Sequence, residues 1–387
     1  MNVKIIAVFF GFIFLGINCS NNEPNPSTEL QDYQQFQVSF DEVLAIREDE
    51  KNPDSYFGRL AMVKLDTLGN IYIIDDGNNS VFKFEKNGAF LKKIGKAGRG
   101  PGELERPIFI LVDKEITIIN EGTKRIDIFD LEGNYKSSYK NESLYLYTHL
   151  IKANEEEFWS FNVPSTTHED SIKILTPLDG EFNQIGESQI SPKLFYDLFD
   201  RDKAIITTGP VSSLVQTSSN SFVVAFPDLY NGKMLEFERI NQKWNLKRAI
   251  KGKSIDKLFT SVKEDDKADL VSFVYGKEYK YDLHSKSKGL FQLNNKNFVH
   301  FLELDIGDSL EYGVELFDSN WNYLGYNKFY RGSHPSSAED LEVFFNNGGM
   351  YLETVYDKDE NDRFYMVGYD QGGEKISVRK LEFSFVE

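Results

Sequence analysis

From Val63 onward, short apolar runs alternate with polar turns, a spacing that suits strands and leaves no room for long helices. VKLDTLGNIYIIDDGNNSVFKFEKNGAFLKKI, residues Val63 to Ile94, reads as a strand, a Leu68-Gly69-Asn70 turn, a second strand, an Asp/Asn/Gly loop, an alternating third strand, a turn at Asn87-Gly88 and a fourth strand. ILVDKEITIINEGTKRIDIFDLEGNYKSSY, Ile110 to Tyr139, repeats it. Asp66 falls on Asp113, Tyr72-Ile73-Ile74 on Thr117-Ile118-Ile119, Val81 on Ile126, Phe84 on Phe129 and Gly88 on Gly133, at offsets of 45 to 47 residues. A recurrence of that length with four short strands per unit predicts propeller blades.

Looser copies follow. EEFWSFN and SIKILTPLDGEF (Ser171 to Phe182) read as strands b, then c and d, of a third blade. Ser221 to Trp244 supplies b and c of a fourth, Phe298 to Gly325 of a fifth, and Met350 to Ile376 of a sixth. Strand c is then marked by Phe84, Phe129, Leu175, Phe237, Phe317 and Val367. The expected fold is all-β: a six-bladed β-propeller of four-stranded antiparallel blades over residues 30–387. An insertion around Ser254 to Lys288 leaves room for a short helix, and QFQVSF (Gln35 to Phe40) is a candidate latch onto the last blade.

GKAGRGPGELERP, Gly95 to Pro107, raises the question of a phosphate cradle. No Lys-Ser or Lys-Thr follows its glycines, Pro101 removes a backbone donor, and IFILVD after it is strand-like rather than helical. It is read as the joint carrying one blade to the next. With the RIDIFDLEGNY that follows, it resembles the NHL-type repeat, and especially the six-bladed β-propeller lipoproteins common in Bacteroidota. That resemblance implies a fold and a compartment. It is sharp over Tyr56 to Tyr139 and diffuse beyond.

The leader changes the picture next. Lys4 precedes an apolar run from Ile5 to Ile17, short for a membrane span and apt for a secretory signal. Cys19, the single cysteine, follows it, so residues 1–18 resemble a lipoprotein signal and 19–29 a tether with lipidated Cys19; cleavage by ordinary signal peptidase is the alternative. Leu15 stands four residues before Cys19 rather than three, and Asn18 replaces the usual small residue. Ser20-Asn21-Asn22-Glu23 resembles the export tag of Bacteroidota surface lipoproteins. An exported outer-membrane lipoprotein, periplasmic or surface-exposed and monomeric, is expected. The 32 Phe and 20 Tyr favour strands. A formal charge of -17 repels phosphate backbones, so nucleic acid is not an expected partner.

In an antiparallel blade the d-to-a joint and the b-to-c loop share one end of the disc. The sequence therefore predicts a ring of channel-face groups: Asp75, Asp76, Asn78, Arg99, Glu103, Arg106, Glu121, Asp170, Asp228, Asp305, Asp357 and Asp359. Turn formation alone accounts for many of them; a binding ring for a cation or a basic ligand is the sharper reading. DKDEND at Asp357 begins like a Ca2+ loop, then places Asp362 where glycine is needed and Gly368 where the closing Glu belongs. His149, His168, His284, His300 and His334 lack zinc spacing, although His149 and His300 are placed to approach the axis. No GxSxG elbow occurs, so no catalytic residue is assigned. Trp159 reads as core. The functional expectation is a cell-envelope binding or scaffold module for a protein, peptide or glycan; the alternative is a metal-dependent lyase or lactonase with an axial acidic/His site.

Overall fold

The inner strands of blades 1 and 2 are apolar at most positions because both of their faces are covered. In blade 1, Ile71 to Asp75 is buried at all five residues, whereas the outer Phe90 to Ile94 buries only its last. That gradient is what stacking twisted sheets around an axis demands. The computed structural model describes residues 37–47, 56–141, 147–154, 156–162, 173–191, 194, 213–225, 232–253, 270–274, 277–281, 285–305, 309–333, 352–369 and 376–386.

After β1 (Gln37–Ile46), blade 1 comprises β2 (Leu60–Leu65), β3 (Ile71–Asp75), β4 (Ser80–Phe84) and β5 (Phe90–Ile94). Blade 2 comprises β6 (Pro107–Val112), β7 (Ile116–Asn120), β8 (Arg125–Phe129) and β9 (Tyr135–Lys140). Blade 3 has β10 (Tyr147–Lys152), β11 (Glu157–Asn162) and β12 (Leu175–Asp179), edged by bridges from Leu175 to Gln189 and Leu178 to Gln184. Blade 4 has β13 (Leu214–Ser218), β14 (Ser221–Val224), β15 (Lys233–Ile240) and β16 (Lys243–Lys251). A separate hairpin follows, β17 (Leu270–Val274) with β18 (Lys277–Tyr281). Blade 5 has β19 (Ser285–Gln292), β20 (Phe298–Asp305), β21 (Ser309–Phe317) and β22 (Tyr323–Ser333). Blade 6 has β23 (Leu352–Lys358), β24 (Arg363–Tyr369) and β25 (Ile376–Val386). The described part of the insertion is thus a hairpin, where the sequence left room for a helix.

β1 completes blade 6. It pairs antiparallel with β25 from Gln37 opposite Val386 to Ile46 opposite Val378, so the N-terminal strand is the outermost strand of the last blade and closes the ring. This latch also corrects the strand assignment of blade 6. Because β1 takes position d, β25 is c, β24 is b and β23 is a, one place inward of the sequence reading that put Val367 on strand c. The five other markers do lie on strand c. Around the ring the innermost strands neighbour one another from β23 through β2 and β6 to β10, and from β13 through β19 to β23. Phe222 and Trp244 of blade 4 pack with Phe161 and Trp159 of blade 3 across the remaining joint.

Five short turns share a device. Asp66, Asp130, Asp179 and Asp318 each accept a hydrogen bond from the backbone N–H of the Asn four residues on, at 2.7 to 2.8 Å, and Asp359 does so from Arg363 at 3.0 Å. An Asp side chain that mimics a backbone acceptor fixes a tight turn. All five lie on a-to-b or c-to-d connections, hence on one end of the disc, here the turn end. The other is the joint end.

Candidate axial binding site

At the joint end, the predicted ring residues are engaged by groups of their own and neighbouring loops. Asp75 is fully buried and accepts four hydrogen bonds: from Gly58 N at 2.6 Å, Arg59 N at 3.0 Å, Asn78 N at 2.9 Å and Asn78 Nδ2 at 2.9 Å. Asp76 pairs with Arg59, Arg99 with Glu105 at 2.8 Å, and Arg106 with Glu121 at 3.0 Å. The glycine loop holds its own anion. Glu103 Oε2 accepts from Gly100 N at 2.8 Å and its carboxylate meets Lys96 Nζ at 3.2 Å. These contacts hold its carboxyl below the ordinary range, the Gly100 N–H contributing most. Gly98 has φ +151°, and a Cβ there would lie 2.1 Å from that carboxylate oxygen, so only glycine lets Glu103 fold in. Leu104, fully buried, plugs the loop beneath. Arg125 donates to the carbonyls of Arg99, Gly100 and Glu103 at 2.7, 3.1 and 2.9 Å.

Asp357 and Asp359 are not with this group. As β23 is strand a, their turn is an a-to-b connection and lies at the turn end, where Asp357 Oδ2 accepts from Leu65 N at 3.0 Å. Sequence placed them with Asp75 because an acidic hairpin between two strands looks alike whichever pair it joins. Asp305 closes β20 towards the joint end. Asp170, Asp228 and Cys19 lie outside the described residues. Among the described residues, no group of three or more His, Cys, Asp or Glu is arranged to hold a metal ion. The Ca2+-like run has its carboxylates engaged: Asp359 accepts from Asn361 N and Arg363 N and pairs with Lys380 at 2.6 Å.

The two histidines singled out by sequence part company. His300, on β20, is sealed inside blade 5: Nε2 lies 2.5 Å from Ser287 Oγ and Nδ1 2.7 Å from Glu315 Oε1. Ser287 Oγ donates to Ser213 Oγ at 2.6 Å, and Glu315 accepts from Lys253 N at 2.7 Å. The Ser-His-Glu order resembles a nucleophile relay, but these side chains are at most 3% exposed, so the network pins blade 4 to blade 5 rather than meeting a substrate. His149 does reach the axis. In β10 it follows a bulge between Tyr147 and His149, the place that Met62 occupies in β2 and Phe109 in β6. Its ring meets Phe109 edge-on at 4.9 Å, and its Nδ1 is buried with no hydrogen-bond partner among the described residues. Enclosure first, and Lys64 second, hold the imidazole below its ordinary range, so it is neutral at pH 7.

His149 lines a cavity of about 420 Å³ at the turn end of the axis, walled by the innermost strands of five blades. Strand alternation gives it two levels. Residues two apart on one strand face the same way, so Met62 and Lys64, Leu214 and Gln216, Leu290 and Gln292, and Tyr356 and Lys358 each set an apolar side chain behind a polar one. Of its lining residues the sequence singled out His149, Asp357 and Asp359; the rest were missed because they come from separate strands whose convergence follows only from the ring, and the alternating strand pattern was the available signal.

A sequence profile described as a 6-bladed beta-propeller matches residues 50–306. The chain belongs to the DUF5128 family of 6-bladed beta-propellers. No curated protein matches this DUF5128 chain in sequence. Among solved structures, it is similar to a Bacteroides fragilis protein named as an exported protein, at 12% identity and TM-score 0.53, over 90% of this chain and 95% of that one. It is also similar to a DUF4221-family member of Bacteroides vulgatus, at 10% identity and TM-score 0.50, over 90% and 99%. Likeness at these identities shows a shared propeller and nothing of ligand or reaction.

Proposed function

We propose that this DUF5128 propeller is a monomeric cell-envelope lipoprotein, anchored in the outer membrane through acylated Cys19, that binds a small ligand or the tip of a larger one in its axial cavity. The cavity at the turn end carries the reading: it is concave, lined by apolar side chains below and polar ones above, and set on the innermost strands of five blades. The leader pattern before Cys19 supports the anchor. No specific observation favours the lyase or lactonase alternative.

Two experiments test this. Cys19→Ala should move the protein from the membrane fraction to a soluble one; retention in the membrane would overturn the anchor. A soluble form lacking residues 1–26 should show thermal shifts with small amphipathic compounds, and Leu214→Trp, which fills the cavity from β13, should abolish them. Shifts that survive Leu214→Trp would place binding elsewhere.

A further inference from the structure

Among the described residues, the charges at the cavity mouth are matched in all but one place. Lys64 lies 3.5 Å from Asp357, Lys358 lies 2.6 Å from Asp362, and Asp359 lies 2.6 Å from Lys380. Glu360, at the exposed tip of the β23–β24 turn, has no cationic partner among the described residues; only its backbone carbonyl is engaged, by Asn294. The unmatched charge at the mouth is therefore negative, and the net charge of the protein has the same sign. Deeper, beneath the polar level, Met62, Leu214 and Leu290 offer hydrocarbon and Tyr356 an aromatic ring, and the ionisable side chain there is His149, whose Nδ1 has no hydrogen-bond partner among the described residues. An anion at the mouth meets Glu360, and a charge at depth meets a wall that cannot solvate it. A cation with an apolar body meets complementary surroundings at both levels.

Resting on the reading of this cavity as a binding site, we infer that its ligand is a small amphipathic amine, with the ammonium at the mouth against Glu360 and an uncharged body among the apolar side chains.

The test uses the soluble form lacking residues 1–26 and three probes of one length: hexylamine, hexanol and hexanoate. Calorimetry should rank hexylamine above hexanol and hexanol above hexanoate, and the His149 imidazole NMR signals should move with hexylamine. Glu360→Gln should weaken hexylamine by about fivefold and leave hexanol unchanged. Equal binding of all three probes, a preference for hexanoate, or an unchanged hexylamine affinity in Glu360→Gln would each overturn the amine assignment while leaving the cavity as a site. Binding of none of the probes, with Leu214→Trp indistinguishable from the parent, would overturn the cavity reading itself. Glu360 is exposed and outside the core, so its replacement does not threaten folding.

Discussion

Both ends of the disc carry acidic residues yet put them to different use. At the joint end Asp75 is completely buried and faces four donors, so its lone pairs are filled by the entry to β2 and the β3–β4 turn that it ties together. At the turn end Glu360 is exposed and its carboxylate faces none among the described residues, while the innermost strands leave a hollow beside it. The lesson is that the availability of a carboxylate is set by the count of nearby N–H groups, not by its place on a rim. Acidic loops next to glycine-rich joints are crowded with unpaired backbone donors and become structural. Turns that already close on their own Asp, as at Asp359, leave the next side chain over.

The change with the largest expected effect acts on both ends at once. Removing residues 37–46 opens blade 6 and exposes the edge of β25. Losing that ladder should cost about 5 kcal/mol, or about 10 °C in melting temperature for a domain this large. An unchanged melt would mean that the ring closes without β1. Next comes Asp75→Ala, which strands the N–H groups of Gly58, Arg59 and Asn78. A loss of about 3 kcal/mol by urea unfolding is expected, with hexylamine binding intact. If binding fell as well, the two ends would be coupled rather than separate.

Much of the ring was legible because the repeat is written in local chemistry. Asp66 and Asp130 each precede an Asn by four residues, and the alternation of Phe84 and Phe129 marks the same strand twice. The joint reading of Gly95 to Pro107 agrees with the structure for the reason the sequence supplied, the missing phosphate-binding residues, and for one it did not, Glu103 occupying the cradle. Legibility stopped where a property belongs to the closed ring. Nothing in DKDEND itself says whether it joins a to b or b to c; that depends on β1, about three hundred residues away, taking the outer place. Most of the cavity was unreadable for the same reason: His149 and Asp357 were singled out separately, but they join Lys64 and Gln216 only through closure.

His149 supplies a smaller effect and a pH dependence. Its folded pKa lies below the unfolded value of about 6.5, so the native state resists a proton that the unfolded chain accepts. Its contribution to stability is complete above about pH 6.5 and declines as pH falls towards the folded value. His149→Met, which installs the residue found at the equivalent place in β2, should lessen the loss of stability between pH 7 and pH 4.5. Equal losses in parent and variant, from urea midpoints at the two pH values, would mean that the channel leaves the imidazole unperturbed.

The smallest expected effect returns to the joint end and asks whether its loop is held by its own anion. Glu103→Gln keeps the shape of the side chain but removes the charge that Lys96 and the Gly100 N–H meet. Arg125 still clasps three carbonyls of the loop and Leu104 still plugs it, so global unfolding should scarcely change. Local opening should become more frequent, because the carboxylate that fills the space over Gly98 no longer attracts its donors as strongly. Limited trypsin digestion should therefore cut after Arg99 faster in the variant at an unchanged melting temperature. Equal cutting rates would show that glycine geometry and Arg125 alone fix the joint, and that Glu103 is a passenger within it.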